Sequence, residues 1–216
     1  NFGPTYPATV GAFQTAFGGG GTDVSLSKYT PDGSAQIWAA YLGGNAGENP
    51  HSLIANSLGE LMVLASTSSN DFPITDGAFD ETLADQDIAI VHISADGTYL
   101  IGSTLLGGSG SDGTNAMYAN YGEPYRGEIF TDALGNILAT SFTSSSDFPV
   151  TDGAIQTALG GGQDGVVFKL NPTCSELLAS TYIGGSGDDN AMGIRIAANG
   201  EFFVTGATAS SDFPMP

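Results

Sequence analysis

Short stretches rich in apolar side chains alternate with turn residues along the whole chain. Residues 36–42, 87–93 and 164–170 are examples: each is seven residues long and carries β-branched, aromatic or leucine side chains. Asp-Gly, Asn-Gly and Gly-Gly pairs separate such stretches, which predicts β-strands, and no stretch keeps a helical period. The turns are too short to hold crossover helices, so the strands should pair antiparallel. We therefore expect an all-β protein built from antiparallel, four-stranded units.

One loop sequence recurs at a nearly fixed interval. Residues 69–79 read Ser-Asn-Asp-Phe-Pro-Ile-Thr-Asp-Gly-Ala-Phe, residues 146–155 repeat most of them, and residues 211–214 repeat Ser-Asp-Phe-Pro. A degenerate copy, with Tyr-Pro in place of Phe-Pro, spans residues 6–13. The prolines of successive copies are 66, 76 and 65 residues apart. A period of this size indicates tandem supersecondary units.

The period divides the chain into three repeats of about 65–76 residues, at residues 1–71, 72–147 and 148–216. A single four-stranded sheet of this size cannot bury both of its faces, whereas stacked sheets can, and the usual result is a β-propeller. The expected fold is thus a tandem series of four-stranded, propeller-type blades. Three blades are fewer than the roughly four to eight of ordinary propellers. We therefore expect self-association, or continuation of the array into further repeats.

The second repeat contains an insertion. From Gly107 to the next turn glycine is 28 residues, whereas the matching intervals in the other repeats are 16, so about 12 extra residues lie near 113–126. The insertion carries Tyr118, Tyr121, Tyr125 and Arg126, residue types that are enriched at binding hot spots. These four residues are candidate partner contacts. The alternative is a loop that folds over the edge of its own sheet.

Charge and composition narrow the class of protein. The chain has 23 acidic and 4 basic residues, for a formal net charge of −19, so nucleic acid is not an expected partner. An acidic surface suits a salty or calcium-containing medium, although it also serves solubility alone. No apolar run is long enough to cross a membrane, and no signal peptide is visible. Because the chain opens on Asn1 instead of Met, we expect a processed form or a fragment.

The single cysteine, Cys174, excludes an intrachain disulfide and a cysteine zinc cluster. It occupies the turn position that matches Gly33 and Gly97, so we expect an exposed thiol without a chemical role.

Acidic clusters follow the Gly-Gly pairs of the second and third repeats. Their oxygen-bearing side chains are of the kind that Ca²⁺ prefers, although the spacing matches no known calcium loop. The candidate calcium ligands are Asp112, Asn115, Asp188, Asp189 and Asn190. The alternative is that these side chains cap turns or form hydrogen bonds between sheets. No other cofactor is expected.

The aspartates of the recurring loop, Asp71, Asp147 and Asp212, should accept backbone hydrogen bonds in turns, because a ligand site would not be copied into every unit. His92 aligns with Lys28 and Lys169, which indicates a structural cation beside an acidic neighbour. Neither histidine recurs in a triad-like pattern, and we expect no enzyme activity. Paired carboxylates of the glycosidase type remain an alternative, because acids are abundant.

Two segments of the third repeat carry a family resemblance. Residues 180–191 (Ser-Thr-Tyr-Ile-Gly-Gly-Ser-Gly-Asp-Asp-Asn-Ala) and 194–206, together with the Ser-Asp-Phe-Pro loop, resemble the bacterial SBBP-type β-propeller repeat in three tandem copies. The first repeat departs most, with Gly-Asn-Ala-Gly-Glu-Asn at residues 44–49. The resemblance implies an extracellular or cell-surface location and no catalytic activity. It also implies that the strand at 193–197 is innermost, so that the chain begins with two outer strands and ends with two inner ones.

These expectations combine into one functional hypothesis. The chain is a non-catalytic structural or adhesive element of a bacterial cell surface or filament, which assembles through blade-to-blade contacts between copies. The alternative is a ligand-binding propeller module, for a surface glycan or a protein, within a larger secreted protein. Neither hypothesis requires membrane insertion.

Overall fold

The computed structural model describes residues 6–115 and 125–213, and its secondary structure in these ranges is entirely β. The strands in chain order are β1 (Val24–Tyr29), β2 (Gln36–Leu42), β3 (Glu48–Ala55), β4 (Leu61–Thr67), β5 (Asp87–Ile93), β6 (Leu100–Leu106), β7 (Glu128–Thr131), β8 (Ile137–Thr143), β9 (Asp164–Leu170), β10 (Leu177–Ile183), β11 (Asp189–Ile196) and β12 (Phe202–Thr208). Within the described ranges there is no helix that is long and apolar enough to cross a membrane.

The strands form four antiparallel sheets. Two are four-stranded, with the orders β3-β4-β5-β6 and β7-β8-β9-β10, and two are strand pairs, β1-β2 and β11-β12. The prediction of an all-β, antiparallel protein with four-stranded sheets is confirmed. Each four-stranded sheet straddles a repeat boundary, because the recurring loop connects its second strand to its third. The series begins with the strand pair β1-β2 and ends with the strand pair β11-β12.

Three apolar clusters hold neighbouring sheets together. One packs the β1-β2 hairpin against the β3–β6 sheet through residues such as Trp38 and Val91. The second joins the two four-stranded sheets through residues such as Ile90 and Phe168, and the third packs β11-β12 on the β7–β10 sheet. Both faces of each four-stranded sheet are therefore covered, which explains why β5 and β8 are buried along their full length.

The turn at Cys174 corrects one expectation. Cys174 adopts φ 56° where Gly33 and Gly97 adopt 70° and 71°, so it does occupy the glycine turn position. Its side chain, however, is fully buried in the cluster between the two four-stranded sheets, because this turn packs against the neighbouring sheet. The carbonyl of Cys174 accepts a hydrogen bond of 2.9 Å from the amide of Phe79. Burial raises the pKa of the Cys174 thiol to about 12, so the thiol is unreactive at neutral pH.

Candidate functional site

A network of hydrogen bonds forms where the recurring loop meets the Gly-Gly segment, and one copy of it surrounds Ser145. The hydroxyl of Ser145 accepts a 2.9 Å bond from the amide of Gly110 and donates a 2.8 Å bond to Asp112 Oδ2. Asp112 also accepts bonds from the Gly108 amide, at 2.8 Å, and from the Thr143 hydroxyl. Because Ser145, Asp112 and Thr143 are buried, these bonds replace those that water would otherwise supply.

The same arrangement recurs in the other two repeats. Ser69 bridges the amide of Ala46 and the carboxylate of Glu48, with distances of 2.8 and 2.5 Å. Ser210 bridges the amide of Gly187 and the carboxylate of Asp189, with distances of 2.8 and 2.6 Å. Each copy thus ties a glycine segment to the loop that follows the second strand of its sheet.

The loop aspartates complete each network. They accept backbone hydrogen bonds, as predicted, but the donors lie in the glycine segment and not in the turn of the aspartate itself. Asp71 Oδ1 accepts a 2.7 Å bond from the amide of Asn45. Asp147 and Asp212 accept 2.8 and 2.9 Å bonds from the amides of Ser109 and Ser186. These bonds lower the pKa values of Asp147 and Asp212, because they stabilise the ionised carboxylates.

A second buried acid stands at the start of a strand beside each network. The carboxylates of Asp23, Asp87 and Asp164 accept bonds from loop amides, and a glycine backbone separates each from the network acid. A Cβ added to Gly107 would lie 2.1 Å from Asp87 Oδ1 and 2.7 Å from Asp112 Oδ2. Burial, with a smaller contribution from the neighbouring carboxylate, raises the pKa of Asp87 to about 7, and burial raises that of Asp112 to about 6.

Four of the five candidate calcium ligands use their side-chain oxygens in hydrogen bonds within the protein. Asp112 and Asp189 bind the loop, Asn115 Oδ1 accepts a 3.1 Å bond from Gln163, and Asn190 Oδ1 accepts a 2.7 Å bond from the Ala207 amide. Asp188 is exposed. In the part of the chain that the structure describes, no group of three or more His, Cys, Asp or Glu side chains is placed to hold a metal. Calcium binding stays a prediction, and the observed contacts give Asp112, Asn115, Asp189 and Asn190 a role in the fold.

His92 and Lys169, at the aligned basic position, contact the turn before the adjacent strand of their own sheet. His92 also contacts the neighbouring sheet. His92 contacts Glu60 Oε2 at 3.3 Å and the carbonyl of Pro172 at 2.8 Å. Lys169 forms a 2.7 Å ion pair with Asp132. Although partial burial opposes ionisation of Asp132, its bonds to Lys169 and Asn136 lower its pKa to about 2. The prediction of an acidic neighbour therefore holds for His92 and Lys169.

The insertion interrupts the edge strand of the β7–β10 sheet. Asp112 still bridges to Thr143, but β7 then has four residues where β3 and β11 have eight. Tyr118 and Tyr121 lie outside the described residues. The ring centroid of Tyr125 lies 6.0 Å from that of His51, and the exposed Arg126 lines a surface cavity of about 320 Å³. A partner contact at these four residues stays a prediction.

Backbone hydrogen bonds from the recurring loops seal the outer edges of three strands, a feature that the sequence analysis missed. The amides of Thr9, Thr75 and Thr151 donate to carbonyls of β2, β6 and β10, with distances of 2.8, 3.3 and 3.2 Å. Their hydroxyls accept bonds of 2.9, 2.9 and 3.0 Å from amides of the same strands. The recurring Thr-x-Gly-Ala sequence was the signal for this contact.

The free edges of β1 and β12 stand in contrast to these sealed edges. β1 pairs only with β2, and β12 pairs only with β11, so each has one unpaired side among the described residues. β12 carries neither a charged residue nor a proline, the features by which edge strands usually avoid pairing with other chains.

Comparison with known proteins assigns neither a family nor a function to this chain. No protein-family model matches the sequence, and no curated protein matches it. The resemblance to the SBBP-type repeat stays a prediction.

The network around Ser145 should contribute measurably to stability. Ser145→Ala removes the acceptor of the Gly110 amide and one donor to the buried Asp112, and we expect a loss of about 2 kcal/mol in the free energy of unfolding. Urea denaturation measures this loss. The exposed neighbour Ser146 provides the control, because Ser146→Ala should change stability by less than about 0.5 kcal/mol. Equal effects of the two substitutions would contradict a structural role for the network.

Asp87 should make stability depend on pH. Its folded-state pKa of about 7 lies above the ordinary value of 3.8, so its contribution is fully present below the ordinary value and is lost as the pH rises through 7. Asp87→Asn should reduce the fall in unfolding free energy between pH 4 and pH 8 by about 1–2 kcal/mol. Thermal melts across this range, with the exposed Asp76→Asn as control, measure the difference. An unchanged slope in Asp87→Asn would show that Asp87 is ionised in the folded protein.

Proposed function

We propose that this chain is a non-catalytic structural or adhesive repeat protein of a bacterial cell surface or filament, whose copies assemble through contacts between their sheets. The open edges of β1 and β12, at opposite ends of the sheet series, are the observation that carries the proposal. One is the free edge of a first strand pair and the other is the free edge of a last strand pair.

The two strand pairs correspond to the two halves of one propeller-type blade. In both four-stranded sheets, the first two strands come from one repeat and the last two from the next. By the same rule β11-β12 is the first half of a sheet and β1-β2 is the second half. The complementary strand pair of a neighbouring copy can add to each of these two pairs and form a four-stranded sheet.

The acidic side chains of the repeats support a structural function. The buried carboxylates accept bonds from loop amides or loop hydroxyls, and they recur at equivalent positions in every repeat. An acidic exterior with a formal charge of −19 keeps separate copies apart at low ionic strength and suits an extracellular medium.

Self-association should increase with ionic strength. Each copy carries the same large negative charge, so salt screens the repulsion, whereas strand pairing and apolar contact do not depend on charge. Analytical ultracentrifugation should show a monomer in dilute buffer and larger species at ~0.3 M NaCl, where the Debye length is roughly 6 Å. Electron microscopy of the concentrated sample should show filaments or rings.

A matched pair of variants separates assembly from non-specific aggregation. Phe203→Lys places a charge on the free strand β12 and should abolish association, whereas Leu134→Lys, in an exposed turn, should not. A chain that stays monomeric at all salt and protein concentrations would contradict the proposal, and glycan binding on an array would then favour the ligand-binding alternative.

A further inference from the structure

We infer that the joint between copies is one antiparallel strand pair, in which β12 of one copy lies along β1 of the next with Val204 opposite Ser27. This inference rests on the proposed function and identifies the partner as a second copy of this chain. The four-stranded sheet β11-β12-β1-β2 would then form across the joint.

The register comes from two equivalent joints within the chain. β4 pairs with β5 so that Thr67 is opposite Asp87 and Val63 is opposite Val91. β8 pairs with β9 in the same way, from Thr143 opposite Asp164 to Ile137 opposite Leu170. Thr208 is equivalent to Thr67 and Thr143, because each threonine hydroxyl accepts a hydrogen bond from the amide of the serine two residues later. Thr208 should therefore lie opposite Asp23, and Val204 opposite Ser27.

Exposed apolar side chains mark the surface that this joint would cover. Val204 packs toward the β7–β10 sheet, so its neighbour Phe203 projects from the opposite face. Phe203 is 67% exposed, whereas the equivalent residues Met62 and Leu138, which face a following sheet, are 1% and 5% exposed. A second copy would supply the missing sheet.

A groove beside β1 matches the position of Phe203. It has a volume of about 270 Å³, and its apolar walls are formed by Leu26, Trp38, Leu53 and Leu61. In the inferred register Phe203 lies opposite Lys28, next to this groove. Tyr29, whose side chain is exposed, occupies the position in β1 that is equivalent to Ile93 in β5 and Leu170 in β9. Ile93 and Leu170 are fully buried in the two complete sheets.

A charge pair completes the match. In the complete sheets, His92 and Lys169 each contact a carboxylate from the turn before the neighbouring strand. Lys28 instead donates to the carbonyl of Ala95 at 2.8 Å, and no carboxylate of the described residues lies within 4 Å of its ammonium group.

Glu201 is placed to fill that position. It directly precedes β12, as Glu60 directly precedes β4. The carboxylate of Glu201 accepts a 2.7 Å bond from Asn199, and that of Glu60 accepts a 2.7 Å bond from Asn56. The inferred register therefore brings Glu201 of one copy to Lys28 of the next.

This joint is head-to-tail. Each dimer leaves one β1 edge and one β12 edge free, so assembly continues into an open filament unless it closes into a ring. The two molecules at a joint contribute different surfaces, which distinguishes this joint from a symmetric pairing of two β12 strands.

Disulfide cross-linking between two single-cysteine additions tests the register. The Ser27→Cys variant and the Val204→Cys variant are mixed under conditions in which the chains associate, and the mixture is oxidised. Both variants keep the native Cys174, which is buried. The expected result is a covalent heterodimer, with at least about tenfold less product from Ser25→Cys mixed with Val204→Cys, because a shift of two residues separates the cysteines beyond bonding reach. Melting temperatures of each variant establish that the fold is kept.

The outcomes separate the two proposals. Light scattering on the same samples reports association independently of the cross-link. Association with no preference for the Ser27–Val204 pair, or with cross-linking of Val204→Cys to itself, would overturn the register and leave the proposed function standing. A monomeric chain would overturn both.

Charge reversal provides a second readout that needs no cysteine. Glu201→Lys should weaken association about fivefold, since it places two cations together at the joint. Glu81→Lys, in an exposed loop of the β3–β6 sheet, changes the net charge equally and should not weaken it. Equal effects of the two substitutions would overturn the pairing of Lys28 with Glu201.

Discussion

The pairing of backbone amides and carbonyls along strand edges is the constraint on which this structure depends. When sheets stack, their apolar side chains are buried between the faces. The strands at the sheet edges, however, still present unpaired backbone N–H and C=O groups. The chain meets this requirement with Thr9, Thr75 and Thr151, each of which returns to the outer strand of a sheet and pairs with it through both its amide and its hydroxyl. The free edges of β1 and β12 differ from the edges of β2, β6 and β10, to which these threonines bind.

The buried polar networks make this arrangement of loops feasible. Each loop of about twenty residues needs a fixed starting direction, and the Ser–acid–glycine contact supplies it directly after the second strand of the sheet. Burial raises the pKa of a carboxyl group unless hydrogen-bond donors surround it. Asp112 is surrounded by three donors and Asp87 by fewer, and Asp87 has the higher pKa of the two. The networks therefore combine precise geometry with sensitivity to pH.

Much of this architecture could be predicted from the sequence, because the repeat period and the turn glycines are local signals. The strand positions and the antiparallel, four-stranded sheets follow from them, as does the fact that Asp71, Asp147 and Asp212 accept backbone hydrogen bonds. The burial of Cys174 could not be predicted, since it depends on how the turn of one sheet meets the next. The position of Asp87 beside the Asp112 network could not be predicted either, because the two residues are far apart in sequence. The threonine contacts left a recurring Thr-x-Gly-Ala signal, but its hydrogen-bond partners lie on another strand.

The functional account requires that β1 and β12 present free edges in the monomer and that association covers them. Hydrogen–deuterium exchange, followed by mass spectrometry on dilute and concentrated protein, tests this requirement most directly. The account predicts fast exchange in β1 and β12 relative to β5 and β9 in the dilute sample, and strong protection of both edge strands in the concentrated one. Protection of β1 and β12 already in the monomer, or exchange that does not change on concentration, would contradict it.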